Sequence, residues 1–214
     1  MDDIVIYGAG GLGRELLENI EEINEGNHFW RVLGFVDDGI RAGGSVCGHP
    51  LLGGFDFFRS YTRRAGVVIA FADCAAKEAA YEKIKALDSL FYFPILVNPR
   101  SYVSSRAVLG EGTVVARFCS VHVNARVGKC VLVSNKCEIS HEDTIGDFVS
   151  LMPSVNISGN VIVGKRTLIG VQAAILQGLV IGGDSVVGMG SMVLSDIPDG
   201  CTVLGSPAKI TARK

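Results

Sequence analysis

The sequence of 214 residues has little of what marks a metalloprotein, a membrane protein or a nucleic-acid-binding protein. Its six cysteines form no CxxC pair, so a zinc site or a redox motif is unexpected and buried thiols are the simpler interpretation. Charged residues make up 20% of the chain with a net charge of −2, which is no footprint for nucleic acid. No apolar run is long enough to span a membrane, and Met1-Asp2-Asp3 lacks the basic start of a signal peptide. We therefore expect a cytoplasmic protein.

A six-residue repeat dominates the second half of the chain. Stepping by six from Val97 to Val193 meets Ile, Leu or Val at all seventeen positions. A period of six excludes an amphipathic helix, but it divides by two, so each aliphatic can point inward from a short strand. Three hexads per coil make a triangular prism, and five to six stacked coils would bury the aliphatics in one column. The pattern predicts a parallel β-solenoid over residues 97–214.

Two smaller features of the repeat carry predictions of their own. Gly or another small residue often follows the repeat aliphatic. We expect this residue to let the chain turn a corner that a bulky side chain or a negative φ would prevent. Cys119 and Cys137 lie 18 residues apart, which is the length of one coil of three hexads. We therefore expect one cysteine to lie directly above the other in adjacent coils. We expect both to stay as thiols. Cys130 falls at a different place in the hexad frame and should not join this stack.

The first half predicts a small α/β domain of the Rossmann-like βαβ type, which we place at residues 1–96. A buried strand is followed by a glycine-rich turn and a helix, and two more strands and a second helix come after them. The predicted strands are 3–7, 32–36 and 67–72, and the predicted helices are 14–24 and 75–87.

The turn Gly8-x-Gly10-x-x-Gly13 fits the dinucleotide fingerprint, with acids Asp37 and Asp38 at the end of the second strand. About 95 residues precede the solenoid, which accommodates one mononucleotide-binding half only. We therefore expect the diphosphate of a nucleotide-sugar at the turn rather than NAD, with Asp37 or Asp38 near the base or ribose. The alternative is a glycine turn that only packs the helix on the strand.

Together, the glycine-rich cap, the hexapeptide solenoid and the closing segment Val203-Leu204-Gly205-Ser206-Pro207-Ala208-Lys209 resemble the sialic acid O-acetyltransferase-like family. This family includes N-acetyltransferases of nucleotide-linked 4-amino-4,6-dideoxy sugars, such as the bacillosamine-pathway enzyme. The resemblance implies a left-handed β-helix and transfer from acetyl-CoA to a sugar amine in surface glycan biosynthesis, without a metal. It also implies a homotrimer with active sites between subunits.

The same resemblance assigns the site residues. In Ile139-Ser140-His141-Glu142, His141 matches the family's general base, and Glu142 would orient its imidazole. The loop at Ala72-Asp73-Cys74 departs from the family's usual Gly-Asn-Asn. Coenzyme A phosphates are assigned to Lys209, or to Lys165 and Arg166. The implied substrate-binding residues are Gly10, Gly11, Leu12, Asp37, Asp38 and Ala72, and the implied coenzyme-binding residues are Gly159, Gly170, Val171, Gly188, Met189 and Lys209.

Three other functions are possible on such a solenoid. Carbonic-anhydrase chemistry needs three histidines on zinc, and the repeat contains only His122 and His141, so we reject it. O-acetylation of sialic acid or a related free sugar stays the alternative within the acyltransferases. A scaffold that has lost its chemistry is disfavoured by the His141-Glu142 pair.

Overall fold

A computed structural model describes residues 1–26, 29–40, 43–87 and 90–213. The chain divides into two compact units. The first comprises Met1–Ala72 with Ala76–Pro94, and the second comprises Asp73–Ala75 with Ile95–Lys214.

The N-terminal unit is built on a four-stranded parallel sheet of order β2-β1-β5-β6. Five of the six residues of β1 are buried, so it is the central strand that its apolar run predicts. The elements of this unit are β1 Asp2–Tyr7, α1 Gly11–Gly26, β2 Trp30–Val36, β3 Ser45–Val46, β4 His49–Pro50, α2 Asp56–Ser60, β5 Ala65–Ile69, α3 Cys74–Lys85 and β6 Phe91–Tyr92.

All five predicted elements of this unit are present, but the shortest elements were not predicted. The β3–β4 hairpin, α2 and β6 contain two to five residues each, too few to show a hydrophobic period. An aromatic cluster anchors α2, since the Phe58 ring lies 5.3 Å from that of Tyr7 and 5.2 Å from that of Phe91. The third strand ends at Ile69, three residues before the predicted end.

The second unit is a parallel β-solenoid, as the repeat predicts. Its seventeen two-residue strands each end on one of the seventeen repeat aliphatics, and three sheets form the faces of the prism. The first sheet contains β7 Leu96–Val97, β10 Val114–Val115, β13 Leu132–Val133, β16 Ser150–Leu151, β19 Leu168–Ile169 and β22 Val186–Val187; the second contains β8 Tyr102–Val103, β11 Ser120–Val121, β14 Glu138–Ile139, β17 Asn156–Ile157, β20 Ala174–Ile175 and β23 Met192–Val193; the third contains β9 Val108–Leu109, β12 Arg126–Val127, β15 Thr144–Ile145, β18 Ile162–Val163 and β21 Val180–Ile181.

Each full coil has 18 residues. Val121 pairs with Ile139 and Ile139 with Ile157, and the other ladders repeat this spacing. The architecture is the left-handed β-helix that the family resemblance implies. The adjacent pair Ser120 and Glu138 is in register, so the stacking predicted for Cys119 and Cys137 is confirmed, and both are free cysteines.

The corners correct the role that the sequence assigned to glycine. A left-handed φ recurs every six residues, but it falls three positions after the aliphatic, mostly on other residue types such as Asn124 and Lys136. The glycines directly after the aliphatic are needed for space instead. A Cβ on Gly146 would lie 2.7 Å from the backbone nitrogen of Lys165 in the next coil. These glycines therefore let successive coils stack closely.

The repeat ends with a shortened coil. Val187 pairs with Val203 and Ile181 with Ile197, a spacing of 16 residues instead of 18. The chain then forms an antiparallel hairpin of β24 Cys201–Leu204 and β25 Lys209–Arg213. The hairpin extends the first sheet by two strands and ends the solenoid.

Candidate functional site

His141 lies on the corner between β14 and β15, where the second sheet meets the third. Its side chain is exposed, and its backbone oxygen accepts a hydrogen bond of 2.9 Å from the N–H of Asn160 in the next coil. We call this edge of the prism, residues 122–125, 140–143 and 158–161, the His141 edge. Here the imidazole is held on a rigid frame while remaining open to solvent.

Gly159 lies one coil above His141 on the same edge. A Cβ on Gly159 would lie 2.5 Å from Cε1 and 2.6 Å from Nε2 of the imidazole. The absence of a side chain at this position leaves the space that the ring occupies. The structure thus brings together His141 and Gly159, which the sequence assigned to base and coenzyme respectively.

Glu142 is in a different arrangement from the one predicted. Its φ is +64°, the left-handed corner position, and its carboxylate accepts a hydrogen bond of 2.7 Å from the amide of Asn124 in the preceding coil. Among the described residues the structure gives no hydrogen bond or ion pair between Glu142 and His141. The carboxylate therefore links two coils, and the predicted contact that would orient the imidazole is not formed.

Asp143 is a residue of this edge that sequence reasoning missed. It is fully buried, and its carboxylate accepts hydrogen bonds of 2.8 Å from the backbone N–H groups of Ser140 and Val161. Burial raises the pKa of Asp143 to about 7, although the two N–H donors act in the opposite direction. Its signal was its place in the hexad, two residues before Ile145, where the repeat otherwise has small or aliphatic residues.

The glycine-rich turn of the N-terminal unit separates into two kinds of glycine. Gly8 has a φ of +117°, and a Cβ on Gly13 would collide with the carbonyl oxygen of Gly8, so the fold needs both. Gly10 and Gly11 have nothing within 4 Å of a Cβ position. Packing does not explain these two, whereas close approach of a phosphate to the start of α1 would.

Asp37 and Asp38 support this turn through hydrogen bonds. Asp37 accepts the N–H of Ala9 at 2.8 Å and that of Gly39 at 2.9 Å. Asp38 accepts the hydroxyl of Tyr7 at 2.6 Å and the N–H of Phe55 at 2.7 Å. Burial, followed by the bond to Asp38, raises the pKa of Tyr7 above its ordinary value. Asp37 therefore fixes the position of the glycine-rich turn through its bond to Ala9.

A cavity of about 580 Å³ opens beside Asp38 within the same unit. Arg59 lies over the ring of Phe55, 5.4 Å from its centroid, and Lys83 approaches the same ring at 6.0 Å. The lining residues, which the sequence did not single out beyond Asp38, are Asp38, Gly54, Phe55, Asp56, Arg59, Lys83, Ala86 and Leu87. Its size and its mixture of aromatic and charged groups suit part of a small polar ligand.

The other residues assigned to coenzyme A lie apart from His141. Gly170, Val171, Gly188 and Met189 are on the edge between the first and second sheets, which we call the Met189 edge (residues 170–173 and 188–191). A Cβ on Gly170 would lie 2.6 Å from the backbone nitrogen of Met189, so coil stacking alone explains that glycine. Lys209 begins β25 at the end of the solenoid. Arg166 forms two hydrogen bonds of 2.6 Å with Asp184.

The second sheet joins the two edges and carries an exposed apolar groove. Leu176, Met192 and Leu194 are each nearly half exposed, and together with Ser158 and Ala174 they line a cavity of about 180 Å³. Ser158 belongs to the His141 edge. On the same face His122 pairs with Glu138 at 3.6 Å, so it has a structural partner.

In residues 1–26, 29–40, 43–87 and 90–213, no cluster of three or more His, Cys, Asp or Glu side chains has the arrangement of a metal site. Within the same ranges, no helix has both the length and the apolar character needed to cross a membrane.

Comparison with known proteins finds relatives of this chain. Residues 3–84 match the PglD N-terminal domain family. GDP-perosamine N-acetyltransferase from Escherichia coli O157:H7 is 29% identical over 150 residues, which are 69% of this chain and 66% of that protein. The match therefore spans slightly less than two thirds of that relative.

Solved structures match over almost the whole chain. The acetyltransferase domain of PglB from Neisseria gonorrhoeae in complex with acetyl coenzyme A is 29% identical, with a TM-score of 0.87 over 97% of this chain and 98% of that one. PerB from Caulobacter crescentus in complex with CoA and GDP-perosamine is 26% identical, with a TM-score of 0.89 over 99% and 98%. The chain is thus similar over nearly its whole length to acetyltransferase structures, and its first part matches the PglD N-terminal domain.

Proposed function

We propose that this chain is an N-acetyltransferase that moves an acetyl group from acetyl-CoA to the amine of a nucleotide-linked amino sugar. The acceptor class is a 4-amino-4,6-dideoxyhexose, and His141 is the general base. The observation that carries the proposal is the His141 edge, where an exposed imidazole lies in the space left by Gly159. Proteins similar over nearly the full chain bind acetyl coenzyme A, or CoA with GDP-perosamine.

The chemistry requires one base and no covalent intermediate. The sugar amine attacks the thioester carbonyl carbon, and a ring nitrogen of His141 takes the proton that the amine loses. Collapse of the tetrahedral intermediate breaks the C–S bond, and the proton passes from the imidazolium to the departing thiolate. The products are the N-acetyl sugar and CoA, and His141 returns to its neutral form.

Glu142 and its bond to Asn124 would contribute as a fixed negative charge beside His141. A fixed negative charge near the reacting groups would stabilise the positive charge that develops as the amine attacks. The bond to Asn124 at 2.7 Å restrains that charge on the corner. We propose Glu142 as a positioning residue on this basis, in place of the direct contact that the sequence suggested.

The N-terminal unit would bind the nucleotide part of the acceptor. Gly10 and Gly11 leave the start of α1 open to a diphosphate, and Leu12 continues the same turn. Asp37 fixes the turn through the N–H of Ala9. The cavity beside Asp38 has room for a base or ribose. Ala72 stays a proposed substrate contact, on the resemblance alone.

A homotrimer with active sites between subunits would reconcile the two edges of the solenoid. Gly159 lies on the His141 edge, whereas Val171 and Met189 lie on the Met189 edge. Edges from two copies can border one groove, which would hold the extended arm of acetyl-CoA. The exposed Leu176, Met192 and Leu194 supply apolar surface for such a groove. Lys209 would bind a phosphate of the coenzyme. We further propose a cytoplasmic role in surface glycan biosynthesis.

The experiment is a thiol-release assay with acetyl-CoA against UDP-, dTDP- and GDP-linked 4-amino-4,6-dideoxy sugars and free sialic acid. We expect turnover with one or more nucleotide-linked amines, and product mass should show an N-acetyl group. Turnover with free sialic acid alone would replace the proposal by the O-acetyltransferase alternative. Absence of turnover with every acceptor, in protein that binds acetyl-CoA, would contradict both.

A further inference from the structure

A buried acid lies directly behind the candidate base. The side chain of Asp143 enters the interior of the solenoid, two residues after His141, and the residue is fully buried. Along the same edge the equivalent positions in the other full coils hold only apolar residues, which are Ala107, Ala125, Val161 and Leu179. Asp143 is thus the one carboxyl group of this column, in the coil that carries His141.

The bonds of Asp143 join the base to the coil above it. One oxygen accepts the N–H of Ser140, the residue before His141, at 2.8 Å. The other accepts the N–H of Val161 at 2.8 Å, two residues after Gly159. The carboxyl therefore ties the segment that carries the imidazole to the segment that provides its space.

Other coils make part of this arrangement with neutral groups. Ser101 accepts the N–H of Cys119, and Thr113 accepts that of Val131, each 18 residues further along the chain. A hydroxyl is thus sufficient to join one coil to the next. The carboxyl of Asp143 uses one oxygen for Ser140 and the other for Val161, so it holds both at once.

We propose that Asp143 is a positioning residue for acetyl transfer, which fixes the His141 corner against the Gly159 corner. The inference rests on the proposed function of His141. Misplacement of a reacting group by about 1 Å can cost on the order of 100-fold in rate, so a bond that sets the height of the corner has a measurable effect.

The ionisation of Asp143 supports this role. Burial raises its pKa to about 7, so the group carries a proton for part of the time near neutral pH and then offers one acceptor fewer. The corners above and below, residues 159–161 and 123–125, contain no ionisable side chain. His141 and Glu142 are the ionisable groups of its own corner. The same coil also has Glu138 and Asp147, which are partly exposed on its outer surface, and Cys137, which is buried in its interior. The neighbouring Cys119 thiol and burial raise the pKa of Cys137, which therefore stays neutral.

The test uses Asp143→Ser and Asp143→Asn. Serine restores the coil-to-coil bond as at Ser101 but cannot also hold Ser140, and asparagine keeps the size but loses one acceptor. The matched control is Asp147→Asn, since Asp147 also accepts a backbone N–H from a residue 18 positions away, that of Lys129 at 2.9 Å, on a different edge. The readouts are kcat, KM for acetyl-CoA, the pH–rate profile and thermal unfolding.

We expect kcat of both Asp143 variants to fall by about 10-fold to 100-fold, while KM for acetyl-CoA changes by less than about two-fold. Both pH–rate profiles should lose an ionisation near 7, and the control should keep the parent's kcat and profile. Rates within about two-fold of the parent, an unchanged profile, or an equal loss in the control would overturn the inference. Failure of both Asp143 variants to fold would also count against it, as evidence for a structural role alone.

The proposed function is tested separately by the parent protein. If the parent acetylates no amino sugar, the function is wrong, and Asp143 is then judged by hydrogen exchange. The inference expects the amide of Ser140 to exchange faster in Asp143→Ser than in the parent, whereas the amide of Val161, which serine still holds, and the corner at Asp147 stay unchanged. An amide of Ser140 that exchanges at the same rate in Asp143→Ser as in the parent would contradict it.

Discussion

Gly159 leaves the space that the imidazole of His141 occupies, because a Cβ there would lie 2.5 Å from Cε1 of the ring. We expect Gly159→Ala to displace the imidazole and lower kcat by about 10-fold or more, with little change in stability, since the ring is exposed and can move. Gly26→Ala is the control, because a Cβ at Gly26 meets nothing within 4 Å. Steady-state kinetics measure the effect. A Gly159→Ala enzyme as fast as the control would mean that the ring position is unimportant.

His141→Ala should abolish acetyl transfer and leave the fold and acetyl-CoA binding intact. Removal of a general base typically costs about 10²- to 10⁴-fold in rate. Kinetics should be compared with calorimetric binding of acetyl-CoA. His122→Ala is the control, since His122 is paired with Glu138 at 3.6 Å and has no proposed role in the chemistry. If kcat of His141→Ala stayed within a few-fold of the parent, another group would be the base.

Asp37→Ala should weaken binding of the nucleotide-sugar and spare acetyl-CoA. Asp37 holds the glycine turn through the N–H of Ala9, so its loss should loosen the phosphate site by about 10-fold or more in Kd. Glu25→Ala, an exposed acid at the end of α1, is the control. Calorimetry with the nucleotide-sugar, acetyl-CoA and NAD checks the prediction. Tight binding of NAD, with no response to a nucleotide-sugar, would overturn the assignment of this unit.

Removal of Asp143 should change how stability depends on pH. Burial raises its pKa from 3.8 to about 7, so the stability it contributes is complete below about pH 4 and is lost as the pH rises through about 7. Compared with the parent, Asp143→Ser should therefore gain unfolding free energy over this window and level off above it. The gain should be a few kcal/mol at most, because one pKa unit corresponds to ~1.4 kcal/mol. Urea unfolding at several pH values measures it, and a constant difference would contradict the raised pKa.

Cys47 should react with a thiol reagent far faster than the solenoid cysteines. Cys47 is exposed, whereas Cys119, Cys130, Cys137 and Cys201 are buried. Access limits the reaction of buried thiols, so these four should react only after unfolding. Thiol titration of native and denatured protein, with Cys47→Ser as the control, gives the numbers. Fast reaction of several thiols in the native Cys47→Ser variant would mean that the solenoid core opens readily.

The sequence was sufficient for the solenoid because its repeat states the register directly. A misplaced strand would bring an outward residue into the column that Val121, Ile139 and Ile157 occupy, so only one frame buries all the aliphatics. The long strands and helices of the N-terminal unit could also be predicted, because their hydrophobic pattern is visible in the sequence. Its hairpin was missed because two-residue strands show no hydrophobic period. Helix α2 was missed because the rings of Tyr7, Phe58 and Phe91 that anchor it meet only in the folded chain.

The candidate site was predicted less fully, since motifs identify residues but not their partners. Ser140-His141-Glu142 suggested a contact within the motif, whereas the left-handed φ of Glu142 accompanies a bond to Asn124 instead. Asp143 was overlooked because its neighbours in the same frame, Cys137 and Val149, are small core residues. Its role depends on the bond to the N–H of Val161 in the next coil, which the sequence alone does not show.

The 18-residue coil also limits how the length of this half can change during evolution. A deletion of one residue would shift every later side chain by one place, which turns the buried column outward and breaks each ladder above it. A deletion or duplication of a whole coil would keep every pairing and only shorten or lengthen the prism by ~4.8 Å. Solenoids of this type should therefore vary in whole coils, and shorter length changes should be confined to their ends, as in the 16-residue coil that closes this one.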